Sequence, residues 1–328
     1  MQIAAFALGA SVSLLASTLL VSRLERLGER LGLSEALLGL LAALAADSPE
    51  ITSSVAAVMG GQGTVAIGVA LGSNVFNLAA LLGLGALVAG HLRFHRRTIM
   101  LEGAVALWIA LIALIVVTGL VGPALGLVLA LVCFVPYVVL GAAGFRRRVR
   151  LRLPRRWTVW VARALAQEEQ EIAVAIRPRQ GDRRDAGVAV IAGIIVVVAS
   201  VAMEQAAVSL GAQAGVSAII VGGVVIAGVT SLPNAVAGVY LASRGRGAAT
   251  LSTAFNSNAI NVILGFLVPA AFLSLVQPSA DGRFVAVAYA VLTAMTVVLA
   301  LMGRGLDRRA GSIIIVAYLV FVGVLATR

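Results

Sequence analysis

Apolar positions in this chain run in unbroken stretches long enough to cross a bilayer, separated by short polar or glycine-rich turns. About 20 apolar residues span the hydrocarbon core as a helix. By that measure ten segments are predicted, near residues 3–22, 34–58, 64–90, 99–118, 121–143, 186–207, 215–242, 248–274, 284–302 and 312–327. The turns at 60–63, 119–122 and 243–247 are glycine-rich, which suits tight hairpins between neighbouring helices. The length of the runs excludes sheet. The expected fold class is an all-α polytopic membrane protein of ten transmembrane helices.

Two of the apolar segments are interrupted where a buried helix tolerates interruption least. The second carries Ala46-Asp47-Ser48-Pro49-Glu50, and the third, after a turn at Gly60-Gly61-Gln62-Gly63, carries Gly72-Ser73-Asn74-Val75-Phe76-Asn77. An ionisable side chain at membrane depth costs a few kcal/mol and persists mostly where it faces a partner, an ion or water. Asp47 and Glu50 therefore mark a candidate functional site. Proline removes one backbone hydrogen bond and frees a carbonyl in the preceding turn, and such backbone is tolerated at depth only inside protein or beside a cavity.

Composition agrees with the pattern. Of 328 residues 61% are hydrophobic and 12% charged, with a mean hydropathy of +1.05, far too apolar for a soluble domain. The net charge of +11 does not indicate nucleic acid, because every basic residue is an arginine and these fall between apolar segments. Placing the N-terminus outside puts 23 of the 25 arginines in cytoplasmic loops, leaving Arg283 and Arg328 outside. The first segment has no positive residue before it, so it is expected to stay in the protein. Cys133, the only cysteine, reads as a packing residue.

With five segments before the long arginine-rich loop and five after it, the second half must begin on the opposite face of the membrane. A shift of 184 residues superposes Pro49 on Pro233, Ser73 on Ser257, Asn74 on Asn258, Asn77 on Asn261, Gly61 on Gly245 and Gly63 on Gly247 without a gap. Broken helices at matching places in two opposed halves point to a transport site at their interface. The second copy reads Gly228-Val229-Thr230-Ser231-Leu232-Pro233-Asn234 and Asn256-Ser257-Asn258-Ala259-Ile260-Asn261. Ser73 and Asn77, like Ser257 and Asn261, lie four residues apart and project from one helix face. The expected organisation is a first half over 1–143 with its repeat at about 34–90, a basic cytoplasmic loop over 144–185, and a second half over 186–328 with its repeat at about 215–274.

These paired motifs resemble those of the cation/calcium exchanger superfamily, in which G-T-S-x-P-E is followed by G-S-N-x-x-N or G-S-N-x-x-D in each of two inverted five-helix repeats. The resemblance implies a cation cage at Ala46, Asp47, Glu50, Ser73 and Asn77 in the first half and Thr230, Ser231, Asn234, Ser257 and Asn261 in the second. Ala46 lacks the family's threonine hydroxyl, Asp47 stands in place of serine, Asn234 in place of glutamate, and Asn261 where aspartate is frequent. Two carboxylates remain, both from one helix, and they can neutralise one divalent or two monovalent cations. Oxygen donors of this kind suit Ca²⁺ and Na⁺ better than Mg²⁺, which demands tighter octahedral geometry.

The implied function is secondary antiport of Ca²⁺ against Na⁺ or H⁺, with transported ions and no cofactor, in a prokaryotic inner membrane. Alternatives are a proton-coupled exchanger of another cation, an intramembrane enzyme using Asp47 and Glu50 as acid and base, or a non-transporting relative with a decayed second site. In the loop from Arg146 to Asp185, Trp157, Trp160, Val161 and Leu165 have helical spacing; this stretch is either an amphipathic helix on anionic lipid or a solvated linker. Glu35, Glu102 and Glu204 are read as boundary residues near helix ends, and His91 and His95 as solvated.

Overall fold

A computed structural model describes residues 2–31, 41, 43–142, 159–161, 163–164, 181–273 and 279–328. Much of the first part of the second expected segment, with Glu35, and most of the basic loop, with Trp157 and Leu165, lie outside the described residues. The chain is nearly all helix, and among the described residues eight helices are long and apolar enough to cross a membrane, nine if one bent pair counts as a single span.

In chain order the described helices are labelled α1 (Gln2–Arg30), α2 (Ser48–Met59), α3 (Gly63–Ala89), α4 (Arg96–Val117), α5 (Pro123–Ala142), α6 (Arg183–Ala214), α7 (Ala218–Thr230), α8 (Leu232–Ser243), α9 (Gly247–Leu273), α10 (Ala280–Gly303) and α11 (Arg308–Ala326); α7 and α8 are the bent pair, and α2 is too short to count as a span. Large apolar side chains such as Leu8, Val132, Val198 and Val320 remain exposed on the outer helices, as expected where lipid and not water covers them.

The peripheral pair α1 and α6 runs antiparallel. Ser13 Oγ lies 2.7 Å from Ser200 Oγ, and Arg23 Nη1 lies 2.7 Å from Asp185 Oδ1. Asp182 and Asp185 close a capping box at the start of α6, satisfying amide groups that a helix leaves bare at its first turn.

The buried centre is formed by α3 and α9. Each opens into a π-helical segment, Leu78–Leu84 in α3 and Asn261–Leu267 in α9, almost one repeat length apart. Wider turns of this kind often accompany functional sites. Ser54 of α2 donates to Gly265 O at 2.7 Å, while its register mate Gly238 of α8 lies against Leu81, the mate of Gly265. The same crossing is thus made twice, with large and small residues exchanged.

Glycine lets α3 and α7 touch backbone to backbone. A Cβ on Gly72 would stand 2.5 Å from Gly223 Cα, and one on Gly222 would stand 2.4 Å from Val65 O. Gly72→Ala is therefore expected to destabilise by about 1–3 kcal/mol through overpacking. A thermal melt in detergent checks this against Gly193→Ala, whose Cβ would meet nothing within 4 Å.

The all-helical expectation needs one correction. His91–Arg93 (β1) pairs antiparallel with Gly305–Asp307 (β2), a short ribbon joining two loops that the run-length rule could not detect. Loops beyond the apolar runs can expose strand edges that hydrocarbon forbids. Gly305 has φ +144 and its Cβ position would lie 2.1 Å from Leu92 O, so the pairing requires glycine. Glu102 and Glu204, expected near helix ends with their charges at an interface, are buried within the protein, at 1% and 2% exposure.

Candidate functional site

Two helix breaks create the site. Asp47 forms the turn before α2 and Ser231 the turn before α8, each followed by a proline in the first turn of the new helix. At the second break α7 and α8 meet at 49°. At the first, Ala45 O accepts from Ser17 Oγ at 2.9 Å and from Ser48 Oγ at 2.6 Å, so the carbonyl that Pro49 leaves without its helical donor is met by side chains. Breaking the helices turns Asp47, Glu50, Ser231 and Asn234 toward one another from opposite halves.

The contacts follow the 184-residue register. Ser231 Oγ donates to Glu50 Oε1 at 2.7 Å. Its mate is the hydrogen bond from Asn234 Nδ2 to Asp47 Oδ1, since Asp47 corresponds to Ser231 and Asn234 to Glu50. Asn74 Nδ2 donates to Asn258 O at 3.0 Å and Asn258 Nδ2 returns to Asn74 O at 3.1 Å. Asn77 Nδ2 donates to Ser257 Oγ at 3.2 Å and to Asn258 Oδ1 at 3.1 Å, and Asn261 Nδ2 to Ser73 Oγ at 3.4 Å and Asn74 Oδ1 at 3.3 Å. The two halves are locked by reciprocal pairs.

The symmetry fails where the residues at matching positions differ. Ser257 Oγ donates to Asp47 Oδ1 at 2.6 Å and accepts from Asn234 Nδ2 at 3.1 Å, while its mate Ser73 turns back to Ala70 O at 3.2 Å. Both carboxylates stay at the start of α2, Asp47 at its N-cap and Glu50 in its first turn, where acidic groups are favoured by the helix dipole. Among the described residues no cluster of three acidic, histidine or cysteine side chains suited to a metal occurs.

Every one of these side chains is at most 1% exposed, and the donors and acceptors do not balance. The three amides Asn77, Asn234 and Asn261 spend their Nδ2 groups on protein partners, whereas Asp47 Oδ2, Glu50 Oε2, Asn77 Oδ1 and Asn261 Oδ1 are buried acceptor oxygens that meet no donor. Each such orphan costs about 1–3 kcal/mol. Acceptor oxygens of this kind are the ligands that hard cations take.

Of the residues expected in the cage, Asp47, Glu50, Ser73, Asn77, Ser231, Asn234, Ser257 and Asn261 share this network. Thr230 is buried nearby but donates to Ile226 O at 2.9 Å within its own helix. Ala46 offers its carbonyl to Ser17 Oγ at 3.4 Å.

Ser17, Asn74, Asn258 and Tyr289 have roles here that sequence reasoning missed. Asn74 and Asn258 match in register and are visible there; Ser17 sits in an apolar helix with nothing to single it out. Tyr289 of α10 hydrogen-bonds Asn74, and its register position in the first half is Val105, so only Asn74 is braced in this way. Asn74 in turn orients Asn261. Tyr289→Phe is expected to weaken cation affinity about fivefold, the effect of one hydrogen bond worth roughly 1 kcal/mol, as read by equilibrium binding.

Broken helices that meet around a buried cluster of oxygens with two carboxylates, among helices long and apolar enough to cross a bilayer, define a multi-pass membrane protein. The sodium/calcium exchanger protein family matches residues 1–143 and 185–327, and the chain belongs to that family. Among solved structures it is similar to the H⁺/Ca²⁺ exchanger CAX, with a TM-score of 0.73 at 15% identity over 99% of this chain and 85% of that one. It is also similar to native YfkE, with a TM-score of 0.64 at 17% identity over 100% of both chains. A third similar structure is the sodium-calcium exchanger NCX_Mj, with a TM-score of 0.59 at 18% identity over 99% and 98%. At these identities the likeness establishes the fold. A curated relative, the "Putative antiporter CaxA" of Alkalimonas amylolytica, is 35% identical over 83 residues, 25% of this chain and 26% of that protein, so the chain matches about a quarter of that relative's length.

Proposed function

We propose that this protein is a secondary cation antiporter that exchanges Ca²⁺ for H⁺ or Na⁺ by alternating access at the site formed by Asp47, Glu50, Ser73, Asn77, Thr230, Ser231, Asn234, Ser257 and Asn261. The observation that carries the reading is the set of four buried acceptor oxygens without donors, two of them on carboxylates. Their combined charge matches one Ca²⁺, or two unit cations on the return step, so each cycle moves no net charge. Family membership supports the same reading, as do solved relatives described as H⁺/Ca²⁺ and sodium-calcium exchangers.

Ten helices then form two inverted halves, 1–143 and 186–328, and the loop 144–185 faces the cytoplasm of a prokaryotic cell, with both termini outside and the arginine-rich loop on anionic lipid. The placement of arginines supports this arrangement. Arg93, Arg304 and Arg308 cluster around the β1–β2 ribbon, whereas Arg328 stacks on Phe284 at 4.3 Å and pairs with Asp281 near Arg283.

Titrating purified protein with Ca²⁺ in weakly buffered detergent tests the proposal. Saturable binding accompanied by proton release is expected, with Mg²⁺ binding far more weakly. No saturable Ca²⁺ binding would overturn the reading.

A further inference from the structure

Glu204 takes no part in the site described above, yet it is only 2% exposed and its Oε1 has no hydrogen-bond partner. It lies ten residues before α6 ends at Ala214, about 15 Å along the axis, and is closed off by its neighbours in the protein. Its depth relative to the site is set by α1. Ser17 touches the carbonyl beside the α2 break, Ser13 pairs with Ser200 one turn further out, and Gly9 packs on Ala199 and Met203. Glu204 therefore stands about two helical turns, ~12 Å, from the level of the break on the side of the α1 N-terminus.

Along α2, which packs against α6, the polar atoms leading in that direction are likewise unpartnered. Glu50 Oε2 comes first, then Ser53 Oγ one turn on, with Ser53 fully buried. Ala57, a further turn along, belongs to the same buried apolar cluster as Met203 and Ala207, which lie one residue before and three after Glu204 on α6. A carboxylate buried in the protein with an unpartnered oxygen requires a cation or a proton. Neither α1 from residue 2 to 22 nor α7 contains an ionisable side chain, and the only charged groups on α2 are Asp47 and Glu50. A metal ion would find one carboxylate and one hydroxyl there, too few ligands for Ca²⁺; a proton needs a single oxygen.

We propose that Glu204 is a proton-binding station on the route between the outer solution and Glu50, with the Ser53 hydroxyl as the intermediate step. The inference rests on the antiport reading and deepens it by making H⁺ the coupling ion. In each cycle Glu204 takes a proton from water on the outer side and passes it by way of Ser53 to Glu50 as Ca²⁺ leaves, ending deprotonated as it began.

The test has two arms that do not depend on each other. In infrared difference spectra between acidic and alkaline pH, one component of the protonated-carboxyl C=O band should be lost in Glu204→Gln and kept in Glu50→Gln. In proteoliposomes, proton-driven Ca²⁺ flux should fall at least tenfold in Glu204→Gln and recover in part in Glu204→Asp, while equilibrium Ca²⁺ binding by the purified variants stays within twofold of wild type. An infrared band unchanged by Glu204→Gln, or flux equal to wild type at every outer pH, overturns the proposal. Loss of Ca²⁺ binding in Glu204→Gln would also overturn it, by making the residue structural. Wild-type protein that neither binds nor moves Ca²⁺ would instead defeat the antiport reading, and the infrared arm would still decide whether Glu204 titrates.

Discussion

Glu50→Gln is expected to abolish cation binding and transport, while Asn261→Ala leaves both measurable. The two side chains look equivalent by position, since each is buried, each has one hydrogen-bonded end and each offers one acceptor oxygen without a donor. They differ in charge. A neutral amide contributes one carbonyl dipole, and its loss corresponds to about 1 kcal/mol. Removing one partner of a buried charge pair costs about 3–5 kcal/mol, a hundredfold or more in affinity. Glutamine also turns one of the two oxygens into a donor, so the end that meets the cation would in half its orientations repel it. Equilibrium Ca²⁺ titration of the two variants checks the order; equal losses would show that geometry and not charge dominates the site.

The other large effect concerns Asp47, the position where this chain departs most from the exchanger pattern. Asp47→Ser alone leaves a single carboxylate, too little charge for a divalent ion, and transport is expected to fail. Asp47→Ser combined with Asn234→Glu is expected to restore part of it. The geometry gives the reason. Asp47 and Asn234 occupy the register positions of Ser231 and Glu50, and the two pairs touch in the same way across the interface. The double substitution copies the Ser231–Glu50 contact into the opposite half and places one carboxylate on each broken helix. The third partner is Ser257, which donates to Asp47 at 2.6 Å and after the exchange would still lie beside position 234.

Because a carboxylate must release its proton to hold a metal cation, apparent affinity should rise with pH in wild type. In Asp47→Ser the number of protons released per ion bound should fall. Flux measured for the wild type, single and double variants from mildly acidic to neutral pH separates these outcomes. A fully active, pH-insensitive Asp47→Ser would make Asp47 a bystander.

Much of this site is legible in the sequence because it is written twice. The serines and asparagines that superpose at 184 residues are the residues that cross-link the halves, and the reciprocal Asn74–Asn258 pair reproduces that number in hydrogen bonds. The breaks before α2 and α8 are also legible, since a proline just after a polar turn inside an apolar run fits the start of a new helix far better than the middle of a continuous one.

Other features depend on tertiary packing and leave no periodic signal. A π-helical segment such as Leu78–Leu84 uses the same apolar residues as an α-helix. Ser17 looks like any small residue of a lipid-facing helix until α1 meets the frayed turn at Ala45. Thr230 has the expected residue type, but its hydroxyl back-bonds within α7, an option open to any threonine in a helix. The burial of Glu204 within the protein is hidden because an apolar run does not say which of its faces meets a neighbouring helix; α6 has 32 residues where about 20 suffice to span. The β1–β2 ribbon leaves no pattern because three-residue strands are too short to alternate.

The central claim is that two carboxylates on α2, completed by amides and hydroxyls of the opposite half, carry one Ca²⁺ against two unit charges. Reconstitution in liposomes loaded with a Ca²⁺ indicator tests it directly, with pH and Na⁺ gradients imposed separately and the membrane potential clamped or varied. Ca²⁺ flux driven by one of the two gradients, indifferent to the membrane potential and absent in Glu50→Gln, is the predicted result. Flux that follows the potential, or that survives in Glu50→Gln, would contradict it.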